Sequence, residues 1–409
     1  MKIIYLYQYF ITPKGAGATR AYEMAKRLVD MGHEVHMVTS DAGWMGQSRE
    51  NDATDWFETN EDGIHVHWLP VPYSNYMGFF ARVKAFLQFM LSARKKAISL
   101  GGDVIYATSS PLTIAIPGVH ASKKNKIPMV FEVRDLWPEA PIQMGKLNNP
   151  ILRFIAKRLE LYAYKNASNV VGLSPGMRDG IVAAGKAPEN VSVIPNSSDI
   201  ELFSQVGEVS ESAKECFGVG GKFVFSYCGT MGEANGLGFV LDCASELKLR
   251  AVENIQFLLI GEGKERPSLE ARLVAESIQS VTFSEPLPKS EITRVFEASD
   301  VCMTIFKNVP ILRTCSPNKL FDSLAAGRPV LTNMPGWLGD IAENDHTGVL
   351  VQPDNVAGFA DKVIWMSEHP EELREFSKNS LALAKARFDR DFLAKKLEAV
   401  LLSTVDGHQ

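Results

Sequence analysis

Cysteine is scarce in the 409-residue sequence, and its five copies follow no metal-binding or redox spacing. All five lie in the second half of the chain, and no two of them form a Cys-X-X-Cys pair. An odd number of cysteines without such a pattern argues against a disulfide-stapled secreted domain. We therefore expect a reducing, cytoplasmic environment.

Long apolar runs and an excess of positive charge are also absent. No segment reaches the ~18 uncharged apolar residues that a transmembrane helix needs, and the opening apolar run is too short for a signal peptide. The net charge is −5, from 43 basic and 48 acidic residues. These absences argue against a membrane-spanning protein and against nucleic acid as a partner.

Composition and length predict a globular protein of two domains. Hydrophobic residues make up 45% of the sequence and charged residues 22%, as in ordinary globular chains. The charge is divided unevenly, with a net +4 over residues 1–200 and −9 over residues 201–409. The stretch 196–222 breaks the regular pattern with Asn, Ser and Gly, so we place the linker there.

Short strand-like runs alternate with longer amphipathic segments throughout the chain. The first half has the runs KIIYLY, EVHMVTS, VIYAT, PMVFEV, NVVGL and VSVIP, and the second half has FVFSYCG, IQFLLIG, VCMTIF, PVLTN and GVLVQ. This alternation predicts an α/β protein with two Rossmann-like, doubly wound parallel sheets. Such sheets bind ligands at the carboxyl ends of their strands, so an interdomain cleft is the expected site.

Two glycine turns follow predicted strands. Gly15 and Gly17 lie between the first strand and the first helix, where backbone amides and a helix N-terminus favour an anion. Gly261 and Gly263 repeat this arrangement in the second half. The first turn lacks the third glycine of the dinucleotide fingerprint, which argues against a dehydrogenase. Ordinary glycine-containing turns are the alternative interpretation.

The most informative segment is RTCSPNKLFDSLAAGRPV, residues 313–330. Pro317 suits the first turn of a helix, so Lys319 would lie where a diphosphate meets both an ammonium and free backbone amides. Asp322, about one turn further on, could reach ribose hydroxyls. A capped amphipathic helix with solvated charges is the alternative, but it does not explain the run of special residues before the helix.

In order and spacing, these motifs resemble a retaining GT-B glycosyltransferase of family 4, most similar to bacterial enzymes of surface-polysaccharide (O-antigen or capsule) assembly. The resemblance covers essentially the whole chain. Its motifs are the Gly15 turn, GHEV at 32–35, SSP at 109–111, RDLWPE at 134–139, VIPN at 193–196, Asp199, Gly229, the Gly261 turn, SD at 299–300 and the run 316–330.

The resemblance implies a GT-B fold of two domains that face an interdomain cleft. Residues 1–200 would bind the acceptor and residues 201–385 the nucleotide sugar. The C-terminal helix, residues 386–409, would pack back on the first domain.

The resemblance also implies roles for individual residues. The nucleotide base would lie near Gly261, Gly263, Phe283 and Ser284, and the ribose near Asp322. Lys319 and the Gly15/Gly17 turn would bind the diphosphate, and the donor sugar would meet Thr314, Ser316, Pro317 and Asn318. Further expected donor contacts are Arg20, Gly229, Thr230, Asn235 and Leu320. The expected catalytic residues are Arg134, Asp135, Arg313 and Lys319. Arg134 and Asp135 follow the strand PMVFEV at the sheet edge, and a surface ion pair is the alternative for these two.

Four positions depart from the family pattern. Thr314 and Asp322 stand where many members have two glutamates, and Thr230 and Asn235 stand where many have Arg and Lys. Neutralisation of the diphosphate would then depend on the other basic residues expected near the site, which are Lys319, Arg313, Arg20 and Arg134.

The leading hypothesis is a transferase that moves a hexose or an N-acetylated amino sugar from a UDP-linked donor. The acceptor would be a saccharide or a saccharide carried on polyprenyl diphosphate. We expect no cofactor and no metal, because helix N-termini and basic side chains can stabilise the leaving diphosphate. The alternatives are a UDP-sugar epimerase on a GT-B scaffold and a non-catalytic sugar-nucleotide-binding partner of an assembly complex.

We predict that residues 79–97 form a basic helix. This helix would contact the anionic inner face of the cytoplasmic membrane. Between Gly63 and Gly102 there is no acidic residue. We expect Lys84, Gln88 and Lys95 on one face and the apolar residues on the other, namely Phe79, Val83, Phe86, Leu87, Met90 and Leu91. A core-packed helix with a solvated basic face is the alternative.

Two histidines, His65 and His67, alternate along one predicted strand. No third ligand is evident near them in the sequence. We interpret both as structural residues and expect no zinc site.

Overall fold

A computed structural model describes residues 1–15, 19–41, 55–71, 78–287 and 291–408, and of residues 79–83 the backbone alone. Gly17, which the sequence places at the diphosphate, lies outside the described residues. The chain divides into two compact units. The first is Met1–Pro195 with Asp391–Gln409, and the second is Asn196–Arg390.

The first unit is built on an eight-stranded sheet with the strand order β3-β4-β2-β1-β5-β6-β7-β8. All neighbouring strands are parallel except β3, which is antiparallel to β4. In chain order the elements are β1 Lys2–Leu6, α1 Arg20–Asp30, β2 Glu34–Ser40, β3 Phe57–Glu61, β4 Ile64–Leu69, α2 Phe79–Leu100, β5 Val104–Thr108, α3 Ala115–Asn125, β6 Met129–Val133, α4 Glu139–Gln143, α5 Pro150–Asn166, β7 Asn169–Gly172, α6 Pro175–Ala183 and β8 Val191–Val193.

The second unit has a six-stranded, fully parallel sheet with the order β11-β10-β9-β12-β13-β14. Its apolar strands are buried on both faces, as parallel sheets covered by helices require. The elements are α7 Ile200–Phe203, α8 Glu211–Cys216, β9 Phe223–Cys228, α9 Gly238–Leu249, β10 Ile255–Ile260, α10 Arg266–Glu276, β11 Val281–Ser284, α11 Ile292–Glu297, β12 Val301–Thr304, α12 Asn318–Ala325, β13 Val330–Thr332, α13 Trp337–Glu343, β14 Gly348–Leu350, α14 Val356–Glu368 and α15 Pro370–Arg387.

The last helix, α16 (Arg390–Asp406), belongs to the core of the first unit. Its buried residues Leu393, Leu397 and Leu401 pack in the same cluster as α1 and the strands β1 and β2. The chain therefore leaves the second unit at its end and completes the first. The structure also adds helices α7 and α8 within the stretch 196–222, where the sequence pattern predicts a linker.

Helix α2 forms where the sequence predicts it, but the predicted division of its faces is wrong. The core-packed stripe is Ala85, Phe89, Ala93 and Ala97, because small side chains allow close approach to the neighbouring layer. Leu87 and Leu91, expected opposite the basic residues, are about half exposed, at 49% and 53%. They point outward together with the exposed residues Lys84, Gln88 and Lys95.

The histidines of β2 and β4 form a stacked cluster at one end of the first sheet. His36 stacks on His65 and on His67, and the rings of His36 and His67 share a hydrogen bond of 2.9 Å. Glu58 hydrogen-bonds His67 at 2.9 Å, yet burial lowers the pKa of His67 to about 4. In the ranges that the structure describes, no group of three or more His, Cys, Asp and Glu side chains is placed to hold a metal.

The hydropathy of the helices bears on membrane insertion. Among the residues that the structure describes, no helix combines the length and the apolar character needed to span a bilayer.

Candidate functional site

Two glycine turns meet at the carboxyl edge of the second sheet. Gly229 ends β9 and Gly261 ends β10, and a Cβ on Gly261 would lie 2.0 Å from the carbonyl oxygen of Gly229. A Cβ on Gly263 would lie 2.3 Å from the carbonyl oxygen of Met231. Both glycines also have positive φ, +137° and +158°. Only glycine permits these contacts, so packing requires the predicted glycines at positions 261 and 263.

Lys319 extends from the first turn of α12 to the Gly229 turn. Its Nζ donates hydrogen bonds to the hydroxyl of Tyr227 at 2.6 Å and to Oδ1 of Asn235 at 3.1 Å. The ammonium also lies over the Tyr227 ring, 3.8 Å from its centroid, and near the ring of Phe306. The structure thus brings together three predicted donor-site residues, namely Gly229, Asn235 and Lys319.

The charge state of Lys319 is set by this enclosed position. Burial lowers its pKa to about 7, since removal from water penalises the ammonium. Among the described residues, no carboxylate lies within 4.0 Å of Nζ, and the ammonium forms no ion pair. Two neutral groups, the Tyr227 hydroxyl and the Asn235 amide oxygen, are thus the hydrogen-bond partners of this half-buried ammonium.

Asp322 lies one turn along α12 and holds the segment that enters the second unit. Its Oδ1 accepts a hydrogen bond of 2.8 Å from the buried Ser198 hydroxyl. Two residues earlier, the backbone amide of Asn196 donates to Oγ of Ser316 at 3.0 Å. Asn196 also donates through Nδ2 to the carbonyl of Ser316. These contacts fix the start of α12, where Lys319 lies.

The turn before α12 carries the remaining predicted donor-sugar contacts. Residues Pro310–Thr314 form a short 3-10 turn. Within it Arg313 is exposed, and the hydroxyl of Thr314 donates to the carbonyl of Ile311 at 2.7 Å. Pro317 caps α12 and Asn318 begins it, while Leu320 is fully buried. Leu320 can therefore serve the site only by packing.

The expected base-binding residues lie beside the Gly261 turn. Phe283 and Ser284 end β11, and the carbonyl of Ser284 accepts a hydrogen bond from the Gly261 amide at 3.2 Å. Phe283 is partly buried, and the guanidinium of Arg266 lies 6.0 Å from its ring centroid. Thr230, which follows Gly229, is exposed.

In the first unit, Arg134 and Asp135 follow strand β6 at its carboxyl end. Arg134 donates to the Tyr7 hydroxyl at 2.6 Å, and its backbone amide donates to Oγ of Ser109 at 3.1 Å. Asp135 is exposed and accepts a long hydrogen bond of 3.5 Å from Ser110. The pair thus lies among polar residues that end three parallel strands.

Arg20 occupies a different position from the one that the sequence suggests. It is buried and donates to Oε1 of Glu132 through Nε at 3.1 Å and through Nη2 at 2.8 Å. Its other hydrogen bonds go to the carbonyls of Ile194 and Pro195. The guanidinium therefore ties α1 to β6 and to the end of the first unit, which favours a structural role over a diphosphate contact. Gly15 lies in a turn of the same unit.

Sequence reasoning missed several residues that shape these sites. Tyr227 reads as an ordinary member of a buried strand, and Ser198 and Asn196 as linker residues. The one available signal was the position of Tyr227 two residues before a strand-ending glycine. The contacts of Ser198 and Asn196 depend on residues more than a hundred positions away.

Two protein-family models match the chain. The Glycosyl transferase 4-like domain family matches residues 15–197, and the Glycosyl transferases group 1 family matches residues 222–369. The chain therefore belongs to the GT-B glycosyltransferases of the family 4 type, as the motifs indicate.

Two relatives of the chain are named as glycosyltransferases. Alpha-D-kanosaminyltransferase of Streptomyces kanamyceticus is 21% identical over 345 residues, which span 81% of this chain and 86% of the relative. The putative teichuronic acid biosynthesis glycosyltransferase TuaH of Bacillus subtilis is 24% identical over 237 residues, 53% of this chain and 55% of the relative.

Solved structures show the same fold. Anabaena Alr3699/HepE in complex with UDP-glucose superposes with a TM-score of 0.71 at 19% identity, covering 98% of this chain and 100% of that one. Sucrose-phosphate synthase of Thermosynechococcus elongatus gives a TM-score of 0.79 at 17% identity, covering 99% of both chains. The GT-B fold expected from the sequence is thereby confirmed.

We predict that Gly261→Ala destabilises the second unit by about 2–4 kcal/mol, because the new Cβ would overlap the Gly229 carbonyl. Gly336→Ala is the matched control, since Gly336 has a φ of +86° and a Cβ there would meet nothing within 4 Å. It should cost only about 1 kcal/mol of backbone strain. Urea unfolding, monitored by hydrogen exchange of the β9 and β10 amides, measures the free energy of unfolding of both variants. An equal loss of stability in the two variants would contradict the close-contact explanation.

Proposed function

We propose that this chain transfers a hexose or an N-acetylated amino sugar from a UDP-linked donor, with retention of anomeric configuration. The acceptor is a saccharide, free or carried on polyprenyl diphosphate, in the assembly of a surface polysaccharide. The resemblance of the motifs supports retention and the acceptor class. The similarity in fold to an enzyme bound to UDP and UDP-glucose supports the nucleotide.

The observation that carries the proposal is the Lys319 ammonium, which has no carboxylate partner in the part of the chain that the structure describes. It lies at the N-terminal turn of α12, where the first backbone amides of a helix have no intrahelical acceptor. A diphosphate placed there meets a cation, amides and the positive end of the helix dipole together. Asp322 would accept from the ribose hydroxyls, and Phe283 and Ser284 would border the base.

The transfer itself needs charge stabilisation more than a strong base. The bond between the sugar C1 and the diphosphate oxygen breaks, and a bond from C1 to the acceptor oxygen forms on the same face. The acceptor proton passes to the leaving diphosphate oxygen. Lys319, with exposed Arg313 near the same helix start, would stabilise that oxygen, and we propose that no metal is required.

The first unit would supply the acceptor side. Arg134, held against the Tyr7 ring and hydroxyl, is positioned to meet a phosphate or a sugar hydroxyl, and Asp135 to orient one. Because both follow a strand at the carboxyl edge of the sheet, they lie where parallel sheets bind ligands.

A membrane-bound acceptor is supported by one helical face of the first unit. Helix α3 contacts both α2 and α5, and the three helices together contain eleven basic residues and one acidic residue, Glu160. Glu160 is buried and paired with Lys157 at 2.6 Å. On α5, Ile151 and Phe154 are 68% and 67% exposed. We propose that this α2–α3–α5 face rests on anionic lipid.

A donor screen tests the proposed reaction. We expect UDP release from one UDP-sugar, stimulated by a membrane lipid extract and unchanged by EDTA. GDP-sugars serve as the control for nucleotide choice. Interconversion of UDP-N-acetylhexosamine isomers without free UDP would instead establish an epimerase. Donor binding with no release by the wild type would establish a non-catalytic partner.

Lys319 and Asp322 should differ in kinetic effect. Lys319→Ala removes charge stabilisation of the leaving group. It should raise the activation free energy of transfer by about 2–4 kcal/mol and so lower kcat. Asp322→Ala should mainly raise the donor KM, because the loss of the ribose contact weakens donor binding by about 1–2 kcal/mol. Asp322→Glu restores the residue usual in relatives and should keep or raise activity. A folded Asp322→Ala enzyme with unchanged donor affinity would remove Asp322 from the site.

The membrane contact predicts binding to vesicles that contain phosphatidylglycerol at low salt. The double variant Phe154→Ser/Ile155→Ser removes exposed apolar surface and should weaken co-sedimentation at least about tenfold. Leu249→Ser/Val274→Ser removes two apolar side chains of the second unit that are more exposed than Phe154 and Ile155, and this variant should bind like the wild type. Failure of the wild type to bind would refute the contact.

A further inference from the structure

Tyr227 contacts both the Lys319 ammonium and the turn that follows Gly229. Lys319 donates to the Tyr227 hydroxyl at 2.6 Å, and the hydroxyl donates in turn to the carbonyl of Thr230 at 2.7 Å. The ring lies beneath the ammonium, with Nζ 3.8 Å from the centroid. One side chain therefore provides an acceptor and an aromatic face to the same cation.

The direction of these hydrogen bonds determines what the hydroxyl can do. Burial raises the pKa of Tyr227, so the phenol keeps its proton, and that proton is directed to Thr230. The oxygen lone pairs then face Lys319 and can only accept. An acceptor at this distance favours the ammonium over the neutral amine, because charge-assisted hydrogen bonds are the stronger ones.

The other groups around Lys319 contribute little opposing charge. Cys228 faces it from the end of β9, and burial raises the pKa of this thiol to about 12, so it is neutral. Cys315 faces it from the turn before α12, and Asp322 on the same helix is bonded to Ser198. Among the described residues, Tyr227 and Asn235 are thus the polar partners that hold the ammonium.

We propose that Tyr227 is a positioning residue whose hydroxyl keeps Lys319 charged and aimed at the donor diphosphate, in opposition to the burial that favours the neutral amine. The assignment of the ligand rests on the proposed function, whereas the effect on Lys319 does not. A consequence follows for the donor. Because the pKa of Lys319 is lowered to about 7, donor affinity should fall as pH rises through that value, and donor binding should take up a proton.

The first experiment measures Lys319 without any donor. Acetic anhydride labels the neutral amine, and mass spectrometry of the Lys319 peptide gives the midpoint of labelling against pH. Tyr227→Phe keeps the ring and removes only the hydroxyl, so the midpoint should fall by about one pH unit. Asn235→Asp places an anion beside Nζ and should raise it. Labelling of Lys124, an exposed lysine of the first unit, is the internal reference for the reagent.

The second experiment measures the affinity for UDP-glucose by calorimetry between about pH 6 and pH 8.5. UDP-glucose is the probe because its diphosphate lacks the terminal phosphate ionisation near pH 6. Tyr227→Phe should bind about twofold more weakly at pH 6 and about tenfold more weakly at pH 8.5, since one pH unit corresponds to tenfold. The wild type should take up a proton on binding, which appears as a dependence of the heat on the buffer.

The outcomes separate the two hypotheses. An unchanged Lys319 midpoint in folded Tyr227→Phe, or a loss of affinity equal at both pH values, would show that Tyr227 only supports the turn. If Tyr227→Phe does not fold, an unmoved midpoint in Asn235→Asp would still overturn the inference. If UDP-glucose fails to bind while the midpoints shift as expected, the proposed donor is wrong and the role of Tyr227 stands.

Discussion

The contact between the Gly229 and Gly261 turns is the constraint on which the candidate donor site depends. Parallel neighbours β9 and β10 end at the same edge, and the absence of a Cβ lets their turns touch. The closely packed turns leave the end of β9 facing the start of α12. Lys319 can then reach Tyr227 and Asn235 across that short gap. A bulkier residue at position 261 would separate these parts.

The two units each contain a cation that is withdrawn from water, and the two cations differ in their partners. In the first, Arg20 is buried and donates hydrogen bonds to Glu132 and to two backbone carbonyls. In the second, Lys319 has no carboxylate partner among the residues that the structure describes, and burial lowers its pKa to about 7. The two cations therefore differ in whether a carboxylate of the described chain neutralises them.

The structure gives a physical reason for two of the positions that depart from the family pattern, Asn235 and Asp322. Asn235, which stands where many relatives have a lysine, accepts from Lys319 instead of repelling it. Asp322, shorter than glutamate, bonds the crossing segment through Ser198. Asn235 and Tyr227 are thus the polar partners of the Lys319 ammonium among the described residues. A lysine with a pKa near 7 changes its charge in a pH range where arginines stay charged.

The sequence by itself determined the α/β class, the two units and the position of most strands, and it gave Lys319 as a candidate site residue. Periodicity, glycines at strand ends and the ordered motifs depend on neighbouring residues, so they can be read along the chain. Only the tertiary structure decided that Arg20 is paired, that α2 packs through its alanines, and that Tyr227 meets Lys319. These depend on which side chains meet across 92 to 112 positions of sequence, as in Lys319–Tyr227 and Arg20–Glu132. No local pattern records such contacts, because folding brings the partners together only through the packing of whole elements.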